Sequence, residues 1–549
     1  MHLFRFLSWT RRHIPSVPSL TGMETAGILA RCGARGGSHR RIMITIKGRT
    51  GMKRLYNRFL RIIDQGYWIW FLLLTGLTAF LCFRCLGIGA IDSWDEARHG
   101  VSAYEMLQSG NYLVNTFAGE TDYWNVKPPL SFLTVAAGFS LFGYTAVGLR
   151  FFSALSCLLV SVLTGLFARR YGRIASLFAM AFLAANYFPF KAHLARAGDA
   201  DALYLLLFTL AMLAMLHIQK DQRWLYVCGL CFSLAFLTKS FHAGMIAAVG
   251  GLFLLLSREI KKMTPRVWAG FLLAALLPIL LWACLRYRYD GTAFFRSMYE
   301  ADIAGRTASG GMEGHGFPFS FYLTSIFWNF DYIYGFLTLT VLMGVLYRWF
   351  RPLRKPGSLL SAVDLTGILL WLFVPLLGFS LVSTKLMWYV YPCTVPLCLL
   401  AAVFLSDFLK AEKVPVWLRS LCLLAAGAGT LLFVWNNYAD NVRGARSNDL
   451  QTFVIEQFDR DSALAGSSVY LDAYDPFLYA NTDGWQQNMR LLALMEGDLD
   501  CLDGGAEAFL QDDSGSLLIL SIPFLKEHPE LAACEVLADN GQYLLLRKP

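Results

Sequence analysis

Charge is what this chain lacks. Only 16% of its 549 residues are Asp, Glu, Lys or Arg, against 56% hydrophobic and 15% aromatic residues. In water such a composition would expose large contiguous apolar patches, which excludes a soluble globular protein and makes the membrane the solvent for most of the chain. Acids are scarcest in residues 1–439, which hold 20 Asp/Glu against 41 Lys/Arg; residues 440–549 reverse the balance at 19 against 7. The basic excess falls in short loops between apolar runs, as cytoplasmic anchoring requires, and not in a patch that would serve nucleic acid. There is no GxxxxGK[ST] loop and no GxGxxG opening a helix; the glycines of GRTASGGMEGHG (305–316) suit a flexible outer loop or lid and follow no phosphate-loop pattern. Matched broken helices in two halves, the mark of many transporters, are absent too. Most of the twelve cysteines lie in apolar segments, and the CxxC at Cys228 and Cys231 has no second ligand pair to make a metal or redox site. Cys501 and Cys534, the two cysteines of the acidic tail, would be placed to form a disulfide if the tail lies outside the cytoplasm.

What is present is a series of apolar runs near 67–87, 149–168, 174–190, 201–218, 223–257 (two helices), 267–285, 320–347, 360–382, 386–405 and 417–436. Lys/Arg clusters at Lys53–Arg61, Arg169–Arg173, Lys220–Arg223, Arg258–Arg266, Arg348–Lys355 and Lys410–Arg419 all fall on one side if the N-terminus is cytoplasmic and the tail outside. The path closes only if Leu130–Phe142, ~20 Å long as a helix against a core of ~30 Å, is re-entrant or interfacial. The expected architecture is an all-α polytopic membrane protein of about 11–13 transmembrane helices with a small C-terminal α/β extramembrane domain. Residues 1–51, rich in Arg, Gly and Ser, are expected to be a poorly structured or misassigned extension. Residues 52–439 form the membrane domain with a first outer loop at 88–148, and 440–549 the outer domain, whose strands are expected at Ser467–Asp472, Ser516–Leu520 and Tyr543–Leu546.

With this topology, the polar residues capable of chemistry share the outer side. Between Ile91 and Leu130 stand six acids (Asp92, Asp95, Glu96, Glu105, Glu120, Asp122) and two bases, Arg98 and Lys127. Carboxylates so near a membrane helix belong to a loop or watery cavity. Asp95 and Glu96 are candidates for a general base, or for acids satisfying the amides of a helix start. Pro128 and Pro129 aim Lys127 at one place, where it could bind a phosphate, pair with a loop acid or snorkel. In Ala195–Asp201, Arg196, Asp199 and Asp201 combine a cation with acids that could also cap a helix. Lys239, His242 and Lys385 are basic groups at the outer ends of apolar helices, suited to a phosphate, and Tyr389 follows Lys385 by one helical turn.

These residues resemble a known family. DEARHGVSAYEMLQSGNYLVNTFAGETDYWNVKPPLSFLTVAAGFSLFG, followed by VGLRFFSALSCLL, is similar to the first outer loop of the GT-C glycosyltransferases, in particular the lipid A aminoarabinose transferase and protein O-mannosyltransferase-like group. ARAGDADALYLLLF, LTKSFHAG and STKLMWYVYP are similar to that group's later motifs, and the likeness runs over roughly 65–410. The resemblance implies a bacterial inner-membrane enzyme, N-terminus cytoplasmic and active site periplasmic. It would move a sugar, with inversion, from a polyprenyl-phosphate (undecaprenyl phosphate) donor to lipid A, lipopolysaccharide or another envelope acceptor. By position it makes Asp95 (with Glu96) and Asp201 the catalytic acids, Asp199 being the rival of Asp201. Substrate binding would fall to Arg98, Lys127, Arg196, Asp199, Lys239, His242, Lys385 and Tyr389. No cofactor is called for beyond the lipid-linked donor, and a divalent metal is left open. Partners are donor, lipid or glycan acceptor and membrane lipids, with no nucleic acid. Val126 stands where the aminoarabinose transferases commonly carry an acid before the loop lysine, so the sugar stays open. The alternatives are a glycan- or protein-directed transferase of the same fold and, from another class, a polytopic transporter or flippase.

Overall fold

The computed structural model describes residues 38–186, 190, 193–308, 314–328, 332–349, 360–443, 447–476, 480–512 and 515–549. Most of the expected N-terminal extension, the middle of the expected lid (309–313) and most of the basic cluster at 348–355 lie outside the described residues. The chain divides into two units, Met1–Phe59 and Leu60–Pro549. Helix α1 (Ser38–Gln65) begins inside the stretch expected to be irregular, so residues 38–51 are helical.

The second unit is dominated by apolar helices: α2 (Tyr67–Phe83), α3 (Asp95–Ser109, the polar exception), α4 (Leu130–Phe142), α5 (Ala146–Ala168), α6 (Arg173–Ala184), α7 (Ala200–His217), α8 (Trp224–Lys239), α9 (Gly244–Leu256), α10 (Pro265–Asp290), α11 (Ala293–Tyr299), α12 (Phe321–Trp328), α13 (Tyr332–Trp349), α14 (Ala362–Leu381), α15 (Thr394–Leu409) and α16 (Val416–Asn437). Among the described residues seven are long and apolar enough to cross a membrane, or eight if one bent pair is a single span. Of the segments expected to span, Arg173–Ala184 and Ile333–Leu346 are shorter apolar helices, and Leu130–Phe142, expected to be re-entrant or interfacial, is short as well. Trp224–Leu256 also counts once, although a 3-10 turn at Ser240–Ala243 divides it into the two helices expected there. Helices α7 and α15 are buried nearly all round and form the centre of the main core, whereas α10 and α16 expose rows of leucines such as Leu272, Leu273, Leu280, Leu424 and Leu431. A helix apolar on every face is stable in lipid and nowhere else at the surface.

The first outer loop is built from α3, a two-stranded hairpin (β1, Thr116–Phe117; β2, Glu120–Thr121) and α4. Helix α3 opens with acids at its first two positions, where unpaired amides favour them, and closes on Gly110 at φ 69°. Helix α4 keeps the expected limits. It packs on α5 so closely that a Cβ on Gly138 would lie 2.0 Å from the carbonyl oxygen of Gly148.

The tail carries α17 (Asp449–Gln457), β3 (Ser468–Asp475), β4 (Ala480–Thr482), α18 (Gln487–Gly497), β5 (Asp500–Leu502), α19 (Gly505–Gln511), β6 (Leu517–Ser521), β7 (Glu535–Asp539) and β8 (Tyr543–Arg547). The sheet order is β4-β3-β6-β8-β7, with β5 also pairing β3. Strands β3, β5 and β6 are parallel, and β8 is antiparallel to β6. The three strands expected from sequence are β3, β6 and β8, the buried centre of the sheet; β4, β5 and β7 are short or edge strands without a strong alternating signal. The expected disulfide is absent: Cys501 and Cys534 are both free. Cys501 lies on β5 and Cys534 just before β7, at opposite edges of the sheet. Four strand spacings, roughly 19 Å, separate those edges, far beyond the Cα separation a disulfide can bridge.

Substituting Gly138→Ala should therefore force α4 away from α5. The expected cost is about 1–3 kcal/mol, read as a lower melting temperature of the detergent-purified protein.

Candidate active site

Glu96 and Asp95 are consecutive on α3 and face different surroundings. Glu96 is 3% exposed and faces the helix bundle. Its Oε1 accepts from Arg150 Nε at 2.7 Å and from the Gly198 amide at 2.9 Å; its Oε2 accepts from Arg150 Nη2 at 2.9 Å and from the Asp92 amide at 3.0 Å. Arg150, on α5, also donates to the carbonyls of Leu86, Gly89 and Ala90. Both oxygens of Glu96 are engaged, so the expectation of a catalytic Glu96 gives way to a structural clamp.

Asp95 faces the other way and is half-buried. Lys127 Nζ donates to its Oδ1 at 2.8 Å and to Asn125 Oδ1 at 3.2 Å. His193 Nδ1 lies 3.9 Å from Asp95 Oδ2 and 2.5 Å from Asp199 Oδ2. Asp199 is the N-cap of α7, its Oδ1 accepting from the Ala200 amide at 2.5 Å, so one carboxylate both caps the helix and holds the histidine. The His193 ring stacks on Trp388, with centroids 3.7 Å apart. Burial pushes the Asp95 carboxyl up, but the ammonium of Lys127, helped by His193 and His99, outweighs it and holds the group below the usual carboxylate range. For His193 burial acts downward; the hydrogen bond to Asp199 and the charges of Asp199, Asp95 and Asp201 outweigh it and push the imidazole up to about 9. His99 goes the other way, lowered by burial and by Lys127. Its Nδ1 bonds the Asp95 carbonyl at 2.6 Å, leaving Nε2 buried without a partner.

Beside this group lies a second. Asp201, in the first turn of α7, pairs with Lys239 in the last turn of α8. Lys239 Nζ sits 5.7 Å from the centroid of the Tyr389 ring, and His242 packs edge-on against the same ring at 4.9 Å. The Tyr389 hydroxyl accepts from Arg306, which also reaches Asp302 at 3.3 Å; Asp302 in turn accepts from Ser240. The site thus gathers side chains from the outer ends of α7, α8 and the segment before α15, from the first outer loop, and from the segment after α11.

Three expected binding residues stand elsewhere. Arg98 is fixed by a two-point bond to Asp122 (2.7 and 2.8 Å) and lies over the Phe117 and Trp124 rings. Arg196 donates to the carbonyls of Leu81, Arg84 and Cys85. Lys385 directs its ammonium to the carbonyls of Phe317, Val382 and Ser383 and holds two loops together. In each case a backbone or carboxylate partner, invisible in a linear sequence, takes up the charge. Conversely His193, His99, Asp302, Arg306 and Trp388 were not singled out from the sequence. Arg306 lies in the glycine-rich stretch 305–316, a weak linear signal, whereas His193 has no acid within two residues and no glycine beside it.

Asp95, His193 and Asp199 each offer one ligand atom, all within 4.8 Å of one another, and so could hold a metal ion. A cation there would displace the proton of His193 and compete with Lys127 for Asp95, so protonation and metal binding oppose each other in this cluster.

The chain is also similar to known proteins. A family model described as dolichyl-phosphate-mannose-protein mannosyltransferase matches residues 126–282. Fold and match together make the chain similar to membrane-embedded glycosyltransferases of the GT-C class. Within that class the chain resembles the lipid A aminoarabinose transferases. It is 30% identical over 352 residues (61% of this chain, 62% of the relative) to the undecaprenyl phosphate-alpha-4-amino-4-deoxy-L-arabinose arabinosyl transferase of Pseudomonas savastanoi pv. phaseolicola. It is also 29% identical over 372 residues (66% and 70%) to an uncharacterized protein of Aquifex aeolicus. In most of these curated relatives the match spans less than two thirds of their length, 62%, 56% and 64% in three of them. The crystal structure of ArnT from Cupriavidus metallidurans in the apo state shares the fold, with a TM-score of 0.60 at 16% identity, covering 88% of this chain and 98% of that one.

The raised His193 fixes a sign for pH dependence. Its ion pair with Asp199 contributes fully below the ordinary histidine value near 6.5 and is lost as pH rises through about 9. The melting temperature of the wild type should exceed that of His193→Gln at pH 6 and converge with it above pH 9.

Proposed function

We propose that this chain is an inverting glycosyltransferase that moves a sugar from a polyprenyl-phosphate donor to lipid A or another envelope acceptor. The observation that carries the reading is the convergence of an ionised, lysine-paired Asp95 with Lys239, Arg306 and Tyr389 at the ends of apolar helices. An amphipathic phosphate needs that arrangement: cations at the membrane boundary for the head group and greasy helices for the tail. A solved ArnT bound to undecaprenyl phosphate shares this fold at a TM-score of 0.58, which supports the donor class.

The chemistry is a single displacement. The acceptor oxygen forms a bond to the anomeric carbon from one face as the carbon–oxygen bond to the phosphate breaks on the other. Polyprenyl phosphate leaves, and Lys127, Lys239, Arg306 and the Tyr389 hydroxyl stabilise the charge that develops on it. A hydroxyl acceptor delivers its proton to Asp95. An acceptor that is already an ionised phosphate has no proton to lose, and Asp95 then stabilises the positive charge on the sugar ring. The low proton affinity of Asp95 suits the second case as it stands; the first requires Lys127 to shift toward the donor phosphate and release the carboxylate. Asp201 pairs with Lys239 and aims it. A divalent cation is a further candidate ligand of Asp95, His193 and Asp199. The buried Val126 beside Lys127 leaves the sugar and acceptor defined only by class, and a glycan or protein acceptor is the alternative it keeps open. We place the site on the periplasmic face of the inner membrane, because the Lys/Arg clusters fall in the loops on the opposite side.

Transfer from undecaprenyl-phosphate-linked sugars in purified membranes tests the reading. Asp95→Asn should lose about 10²-fold or more of the wild-type rate at equal expression; full activity in the mutant would remove Asp95 from the centre of the mechanism.

A further inference from the structure

The backbone that leads into Asp95 is held from the tail. Gln451 on α17, buried at 3% exposure, makes a two-point bond to Ile91: its Oε1 accepts from the Ile91 amide and its Nε2 donates to the Ile91 carbonyl, both at 2.9 Å. Two residues on, Ser93 donates to Gln487 Oε1 at 2.8 Å, at the start of α18. Trp94 then takes φ 67°, a conformation a bulky residue adopts only when its surroundings impose it. Asp95 is next. Further along α3, Gly100 is pressed against α18, where a Cβ would lie 2.3 Å from the Leu491 side chain. Tyr104 donates to Asp498 and accepts from Arg460 Nη2 at 3.0 Å. Ile91, Ala97, Val101 and Tyr104 share one apolar cluster with Phe453 and Leu491 of the tail.

Gln451 is itself fixed to the sheet. Asn448 accepts from the Gln451 amide at 3.0 Å and donates to Asp475 Oδ1, at the end of β3, at 3.0 Å. Asn448 and Asp475 are both buried. A continuous chain of buried hydrogen bonds therefore runs from the tail sheet through Asn448 and Gln451 to Ile91, four residues before the carboxylate proposed to act on substrate.

We infer that the tail domain is a positioning device for the transferase site, and that Gln451 is the positioning residue that sets where Asp95 stands relative to Lys127. The strained turn at Trp94 has no glycine to relax it, so its geometry depends on what grips it from outside. Glu96 and Arg150 grip it from the membrane side, Gln451 and Gln487 from the tail. Loss of the tail grip frees the turn to relax and moves the Asp95 carboxylate without touching any group that contacts substrate. This inference rests on the function proposed above.

The test uses the full-length protein with Gln451→Leu, which removes both bonds at similar volume, and Gln451→Glu, which keeps the acceptor and loses the donor. Gln487→Ala cuts the second tail contact, and Ser468→Ala is a control elsewhere in the tail. Two readouts are taken on the folded fraction: kcat and donor KM, and hydrogen–deuterium exchange of the peptide spanning residues 91–98. Gln451→Leu is expected to lower kcat by about 10–100-fold with donor KM within about threefold, since a displacement near 1 Å of an acting group has effects of that size. Exchange at 91–98 should quicken by about tenfold. Gln451→Glu should be intermediate, Gln487→Ala weaker in the same direction, and Ser468→Ala unchanged. Wild-type kcat and wild-type exchange in both Gln451→Glu and Gln487→Ala would overturn the inference, even if Gln451→Leu fails to fold. If the wild type transfers no sugar, the proposed function fails, and the exchange measurement still decides whether the tail fixes the Asp95 turn.

Discussion

The buried pair between Glu96 and Arg150 is the constraint on which the site depends. A charge taken out of water needs a partner of good geometry and full hydrogen bonding, and losing one member of such a pair leaves the other stranded at a penalty of about 3–5 kcal/mol. Here the guanidinium holds the carboxylate at two points and also collects three carbonyls of the segment between α2 and α3. Neighbours on a helix are rotated by about 100°. Pinning Glu96 toward the bundle therefore turns Asp95 away from it, toward Lys127 and His193. One salt bridge sets the direction of the next residue.

The same rule of paired charges organises the rest of the outer face. Lys127 is matched by Asp95, His193 by Asp199, Lys239 by Asp201, and Arg306 by Asp302 and the Tyr389 hydroxyl. Such pairs are largely withdrawn from water, where each charge offsets the other's lost hydration. Asp199, Asp95 and Asp201 push the His193 imidazole up, while burial and the Lys127 ammonium push His99, one helical turn beyond Asp95, down. An anionic head group entering this cluster would find cations already charged and desolvated, held by carboxylates it could partly replace. That is preorganisation: the ordering is done when the protein folds, before any ligand arrives.

The tail adds a third support to α3. Helices α17 and α18 pack on the face that the membrane bundle leaves open, and their polar contacts fall on the turn ahead of Asp95. A turn held in a costly backbone conformation persists only where several neighbours agree on it, and here they come from two regions of the chain.

Much of this was legible in the residue order. The shortage of charge and the length of the apolar runs determined a polytopic membrane protein, because lipid admits few other sequences. The short, nearly continuous apolar runs of β3, β6 and β8 announced a buried sheet. The motifs around Asp95, Lys127, Asp199, Asp201, Lys239, His242 and Tyr389 named residues that do stand together, in the first outer loop or at the ends of apolar helices. Partnership was not legible. Glu96, Arg98, Arg196 and Lys385 look as suitable as their neighbours in a linear reading, and tertiary contacts with Arg150, Asp122 and backbone carbonyls draw them into structural duty. His193 and Arg306 carry no motif and enter the site only because the chain folds back. Hydrophobicity is additive along a sequence and can be read from it; the fate of a charge depends on what lies across from it, and that is decided in three dimensions.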